Sequence, residues 1–165
     1  MFGKKKVLHN DVFGDMKYWG VEWNSDAKIA INLWNREYEV RLGVVAKKEA
    51  DGISEIQEKA YSDFKETIIA RQREIETIIE DYYQTHDTQV LISKFTPTEL
   101  QISTRGECAI LADNADDEDM HDPLPGLAVV VSPKVALFTQ EEYAGYVFSG
   151  SYFVELELYG KEWQG

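Results

Sequence analysis

The sequence predicts an α+β domain, a mainly antiparallel β-sheet packed on one long central α-helix, and three patterns predict it. Alternating apolar residues fill the first third of the chain. Apolar residues at helical spacing fill the middle, and alternating or continuous apolar runs return after it. No βαβαβ alternation occurs, so a doubly wound parallel sheet is not expected. The 165 residues read as one domain, with N-terminal β-hairpins over 5–46, the helix over 54–84 and C-terminal strands over 90–158.

Ile29, Ile31 and Leu33 alternate with Lys28, Ala30 and Asn32, which places the apolar set on one face of a strand. The alternation stops at Trp34, Asn35 and Arg36 and restarts with Tyr38, Val40, Leu42 and Val44, the pattern of an antiparallel hairpin. Upstream, Val12-Phe13-Gly14 and Tyr18 to Trp23 read as a shorter, aromatic pair of strands.

In the middle, Asp51-Gly52 supplies a turn, and Ser54 followed by Gln57 fits a capping box. Ile56, Ala60, Phe64, Ile68, Ile75, Ile79 and Tyr82 or Tyr83 then fall on one helical stripe, interrupted at Gln72 between Arg71 and Arg73. Glu66, Glu74, Glu76 and Glu80 are assigned to the solvated face. A helix of this length, against a norm of about 11–12 residues, would span the domain and ask for a sheet across it.

Beyond the helix, Pro97 starts a strand through Leu100 and Ile102. Arg105-Gly106-Glu107 turns the chain into Cys108, Ile110 and Leu111. The run Leu127 to Val131 is apolar throughout, as a strand covered on both faces would be, and Pro133 ends it. Tyr152, Val154, Leu156 and Leu158 alternate with Phe153, Glu155 and Glu157 and are read as a last strand.

Seventeen basic residues against thirty acidic ones give a formal charge of −13. Nucleic-acid binding needs a basic patch that displaces counterions, and the one basic run here is Lys4 to Lys6, so no nucleic-acid partner is expected. Anionic membrane surfaces are disfavoured for the same reason. The apolar stretches fall far short of a membrane span, and the N-terminus reads as no secretory signal. With a single cysteine and these features, a cytoplasmic bacterial protein is expected.

Chemistry-bearing motifs are scarce. There is neither a Gly-x-Gly-x-x-Gly after a strand nor a Gly-Lys-Ser/Thr ending. His9, His86 and His121 lie in three separate segments, so a zinc cluster is not indicated, and no cofactor is expected. Cys108 reads as a small buried hydrophobe, with a Cys108–His121 pair left open. No catalytic residue is assigned.

One constellation stands out. Asp113, Asp116, Asp117, Glu118, Asp119 and Asp122 place six carboxylates within ten residues. The spacing misses the EF-hand template, because Ala115 falls at the third position counted from Asp113 and Asp122 at the sixth counted from Asp117. Clustered carboxylates also steer a basic protein partner. Trp34, at the expected hairpin tip, is a candidate interface anchor beside them, whereas Trp19 and Trp23 are expected to pack over the sheet.

The segments Asp11-Val12-Phe13-Gly14, Trp23, Tyr38-Glu39-Val40 and Gly52 to Phe64 resemble a set of small bacterial domains of unknown function. Tyr82-Tyr83, Thr96-Pro97-Thr98-Glu99-Leu100, Gly106-Glu107-Cys108 and Gly126-Leu127-Ala128-Val129 extend the resemblance over about 11–135, leaving 139–165 outside it. In size and acidity such domains resemble the immunity proteins that accompany bacterial toxins. The resemblance implies a non-enzymatic binding role toward a basic toxin domain. The alternatives are a scaffold or homodimeric accessory domain, and a metal-dependent enzyme using the acidic segment.

Overall fold

The computed structural model describes residues 6–115 and 126–160. Its strands are β1 (Val7–Asn10), β2 (Gly14–Trp19), β3 (Glu22–Ser25), β4 (Ile29–Leu33), β5 (Arg36–Val45), β6 (Phe95–Ile102), β7 (Cys108–Asn114), β8 (Leu127–Ser132) and β9 (Ala136–Thr139). Its helices are α1 (Glu55–Ala70), α2 (Gln72–Tyr83), α3 (Thr88–Lys94), α4 (Gln140–Ser149) and α5 (Tyr152–Tyr159), with a short 3₁₀ turn at Glu49–Asp51. The class is α+β, as expected, with nine strands in one sheet among the described residues.

The arrangement of that class differs from the expectation. The sheet order is β1-β2-β3-β5-β6-β7-β8-β9, with β4 paired to β5, and β5 and β6 run parallel. The sheet is therefore mixed. Between those two strands the chain climbs through α1, α2 and α3 and returns to its starting end, which forces the parallel register.

The single long helix is also corrected, since it breaks at Arg71 into α1 and α2. Backbone bonds still cross the break, from Arg71 N to Thr67 O and from Ile75 N to Arg71 O, both at 2.9 Å. The Arg71 guanidinium reaches down to the carbonyls of Val131 and Pro133 at the end of β8. This is the place where Gln72 interrupts the apolar stripe.

Two buried clusters sandwich the sheet. Phe64, Ile75, Ile79, Tyr83 and Leu91 of α1–α3 meet Leu42, Val44, Leu100, Ile102, Ile110, Val129 and Val131 on one face. Tyr143, Tyr146, Val147, Val154 and Leu158 of α4 and α5 meet Val45, Ala109, Ala128, Val130 and Phe138 on the other. Successive residues of β8 enter opposite clusters, as the strand's unbroken apolar run predicts.

At the N-terminus the strands shift from their expected places. Val12-Phe13 forms the turn between β1 and β2, and Gly20-Val21 the turn between β2 and β3. Trp23 is buried, but Trp19 stays 68% exposed, so only one of the two packs into the core.

The expected last strand is helix α5. Its alternation is split by the fold, with Val154 and Leu158, four residues apart, turning inward and Tyr152 and Leu156 outward. Gly150 and Gly160, both left-handed, end α4 and α5. Among the described residues no helix is long and apolar enough to cross a membrane.

Candidate functional site

Asp113 is the described member of the acidic segment, near the end of β7. Asp116, Asp117, Glu118, Asp119 and Asp122 lie outside the described residues, as does His121. Among the described residues no three His, Cys, Asp or Glu side chains gather into one cluster.

Trp34 does sit at the β4–β5 hairpin tip, where it and Asn35 both carry positive φ (50° and 61°). The conformation is costly for tryptophan, and α2 supplies the compensation. Glu76 Oε2 accepts the Trp34 backbone N–H at 2.6 Å, and Glu80 Oε2 accepts its indole N–H at 3.4 Å. The ring packs edge-on against Phe95 with centroids 6.1 Å apart. Trp34 is thus half-buried and turned toward the helix.

Glu76 and Glu80 are correspondingly buried, which corrects their assignment to the solvated face. Arg73 Nη1 donates to Glu80 at 2.8 Å, and His86 Nδ1 lies 2.7 Å from the same carboxylate. Burial alone would raise the Glu80 pKa. The bonds from His86, Arg73 and Trp34 outweigh it and hold the group below the ordinary carboxylate value.

The densest polar network joins the β6–β7 turn to α4 and α5. Glu107, 1% exposed, accepts hydrogen bonds from the hydroxyls of Ser103, Tyr146 and Tyr159. Arg105 Nη1 donates to Tyr146 Oη and to Glu155 Oε1, both at 3.0 Å. Burial first, and the Glu107 carboxylate second, push the Tyr159 phenol well above its ordinary value, so it stays a donor. Beside this network Lys47, Ser103, Thr104, Arg105, Glu107 and Glu155 line an open pocket of about 240 Å³.

Cys108 faces away from this network, buried in the cluster under α1–α3. Burial, then the charges of Glu107 and Asp63, push its thiol up to about 12. That is the opposite of an activated nucleophile. A further buried carboxyl, Glu99, is pushed up to about 8 by burial first and by neighbouring Glu22 second, against Arg41.

The network's visible consequence is the setting of α5. Tyr159 is fastened to Glu107 and Glu155 to Arg105, and Lys134 Nζ donates to the Glu157 carbonyl at 3.1 Å. With Val154 and Leu158 in the core, Tyr152 and Leu156 form an outward row at i and i+4, and the partly exposed ring of Tyr159 lies beside it with its hydroxyl held inward on Glu107. Phe153 stands beside that row, 60% exposed and edge-on to Phe138. A helix apolar on both sides, yet covered on one, presents a contiguous aromatic surface.

Sequence reasoning missed this surface, although a signal was present. Thr139 and Glu142 make a reciprocal capping box at the start of α4, a pattern legible in the residues themselves. No protein-family model matches the chain, and no curated protein or solved structure is significantly similar to it.

Proposed function

We propose that the protein is a non-enzymatic protein-binding domain of immunity type, which captures and neutralises a basic bacterial toxin domain in the cytoplasm. The observation that carries the proposal is the outward row of α5. Three large apolar side chains, Tyr152, Phe153 and Leu156, stand exposed on a helix pinned by three polar contacts, the arrangement of a rigid docking surface rather than of a loose tail.

Charge supports the basic partner. A chain of formal charge −13 attracts cationic proteins at long range, and aromatic residues then supply the short-range anchor. Glu155 and Glu157 border the aromatic row but are paired with Arg105 and Lys134, so the net charge of the whole chain rather than these two groups favours a basic partner. The resemblance in size and acidity to toxin-immunity proteins points the same way.

The test is co-purification with the basic protein encoded beside its gene, followed by association kinetics. A 1:1 complex is expected, with an association rate that falls by about tenfold as salt is raised. Phe153→Asp with Leu156→Asp should abolish the complex and leave the fold intact. The same row would also suit a homodimer. A stable dimer of the isolated chain on gel filtration, dispersed by the same substitutions, would replace the toxin reading.

A further inference from the structure

Glu22 of β3 and Glu99 of β6 approach one another across Gly43 of β5, on the sheet face that strand alternation gives to Arg41 and Val45. A β-carbon at Gly43 would collide with the Glu22 carboxylate and lie 3.1 Å from Cδ of Glu99. Bare glycine backbone is therefore the floor on which both groups rest. The two carboxyls thus crowd one point, where burial and the neighbouring Glu22 charge disfavour the ionised form of Glu99.

One acceptor there is left over. Glu99 is 3% exposed, and its Oε1 makes no hydrogen bond. Arg41 Nη2 stands 3.4 Å from that oxygen, as an ion pair from a half-exposed side chain and not as an aligned donor. Gln101 Nε2 donates to Glu22 Oε2 at 3.1 Å, which brings a third polar side chain to the same point.

We propose that Glu22, Glu99 and the side-chain amide of Gln101 form a binding site for a hard divalent cation, calcium foremost. Two carboxylates and an amide oxygen are the ligand types such a cation takes, with water completing its shell. A half-turn of the Gln101 amide exchanges its nitrogen for its oxygen without moving the backbone. The cation relieves the crowding of the two carboxyls around Gly43 and gives the Glu99 oxygen that lacks a hydrogen bond a closer partner than Arg41. The ligands come from β3 and β6, the two strands that flank β5, so the site is set by the sheet and not by a loop. The net charge of the chain favours cation uptake, and Arg41 is the built-in competitor that neutralises Glu99 when the metal is away.

Isothermal titration calorimetry and melting curves of the EDTA-treated chain in calcium chloride test the proposal. One calcium per chain is expected, with a melting temperature that climbs as the site fills. Glu99→Gln and Glu22→Gln should each weaken calcium by about tenfold or more, and Arg41→Gln should tighten it about threefold. Circular dichroism and melting in EDTA first establish that each variant is folded; should one carboxyl variant fail, the other and Arg41→Gln still decide. A variant with Asp116, Asp117, Glu118 and Asp119 changed to their amides should bind as the original chain does. The proposal is overturned if calcium produces neither heat nor a melting shift. It is equally overturned if affinity is unchanged in the folded Glu22 and Glu99 variants, or is lost in the loop variant instead.

Discussion

Replacing Glu107 by alanine tests the network that sets α5. The carboxylate is 1% exposed and receives three hydroxyl donors, from Ser103, Tyr146 and Tyr159. Hydrogen bonds to a charged group contribute about 1.5–3 kcal/mol each, and removing a shared acceptor leaves its donors buried and unmatched. Tyr146 keeps the bond it accepts from Arg105 but loses the acceptor of its own O–H, whereas Tyr159 is partly exposed and regains water, so the three losses do not add in full. The expected cost is about 3–5 kcal/mol. At a urea slope of about 2 kcal/mol per molar, that lowers the unfolding midpoint by roughly 2 M. Glu107→Gln keeps the volume and part of the hydrogen bonding and should cost about half as much. Hydrogen exchange supplies the local readout, because α5 amides in Tyr159→Phe should lose protection before those of β7. If Glu107→Ala costs less than about 1 kcal/mol, or if the Gln and Ala variants are equally damaged, the carboxylate is not what fastens the helix.

Glu80, whose folded-state pKa is depressed, contributes stability that is complete above its unfolded value and lost as pH falls through the folded one. Glu80→Gln should therefore flatten the acid side of a stability–pH curve below roughly pH 5, and an unchanged acid limb would contradict the assignment. The Cys108 thiol, buried and pushed up to about 12, should resist a thiol-specific reagent in native buffer at pH 8 and react fully in urea. Rapid native labelling would show that the cluster beneath α1 opens. Gly43→Ala should lower stability by about 1–3 kcal/mol, because its β-carbon takes the space of the Glu22 carboxylate, and a neutral effect would count against the convergence at that point. Val154→Ala should cost about 1–3 kcal/mol, whereas Phe153→Ser, on the outward side of the same helix, should stay within about 0.5 kcal/mol of the original chain.

The local features were legible where short-range chemistry governs them. The Ser54–Gln57 box forms as read, with the Gln57 backbone N–H on Ser54 Oγ at 3.2 Å. Gln57 goes further than capping, since its amide also donates to the carbonyls of Val45 and Ser103 and is buried there. The hairpin at Trp34 and the two-sided burial of Leu127–Val131 likewise follow from pattern. The candidate site was not legible. Glu107 and Glu155 are 48 residues apart in the chain by number, yet both belong to one network through Arg105 and Tyr146.

The sequence by itself determined the class, the charge, the capped start of the central helix and the strands whose faces differ in polarity, because each of those is fixed by neighbours within a few residues. The tertiary structure alone decided the parallel pairing of β5 with β6, the break at Arg71, the burial of Glu76 and Glu80, and the helical state of Tyr152–Tyr159. An alternating apolar segment suits a strand that finds an edge to pair with, and equally a helix that finds a half-covered sheet face. Here the face over Ala128, Val130 and Phe138 was open, α4 and α5 closed it, and what remained outside became the aromatic surface.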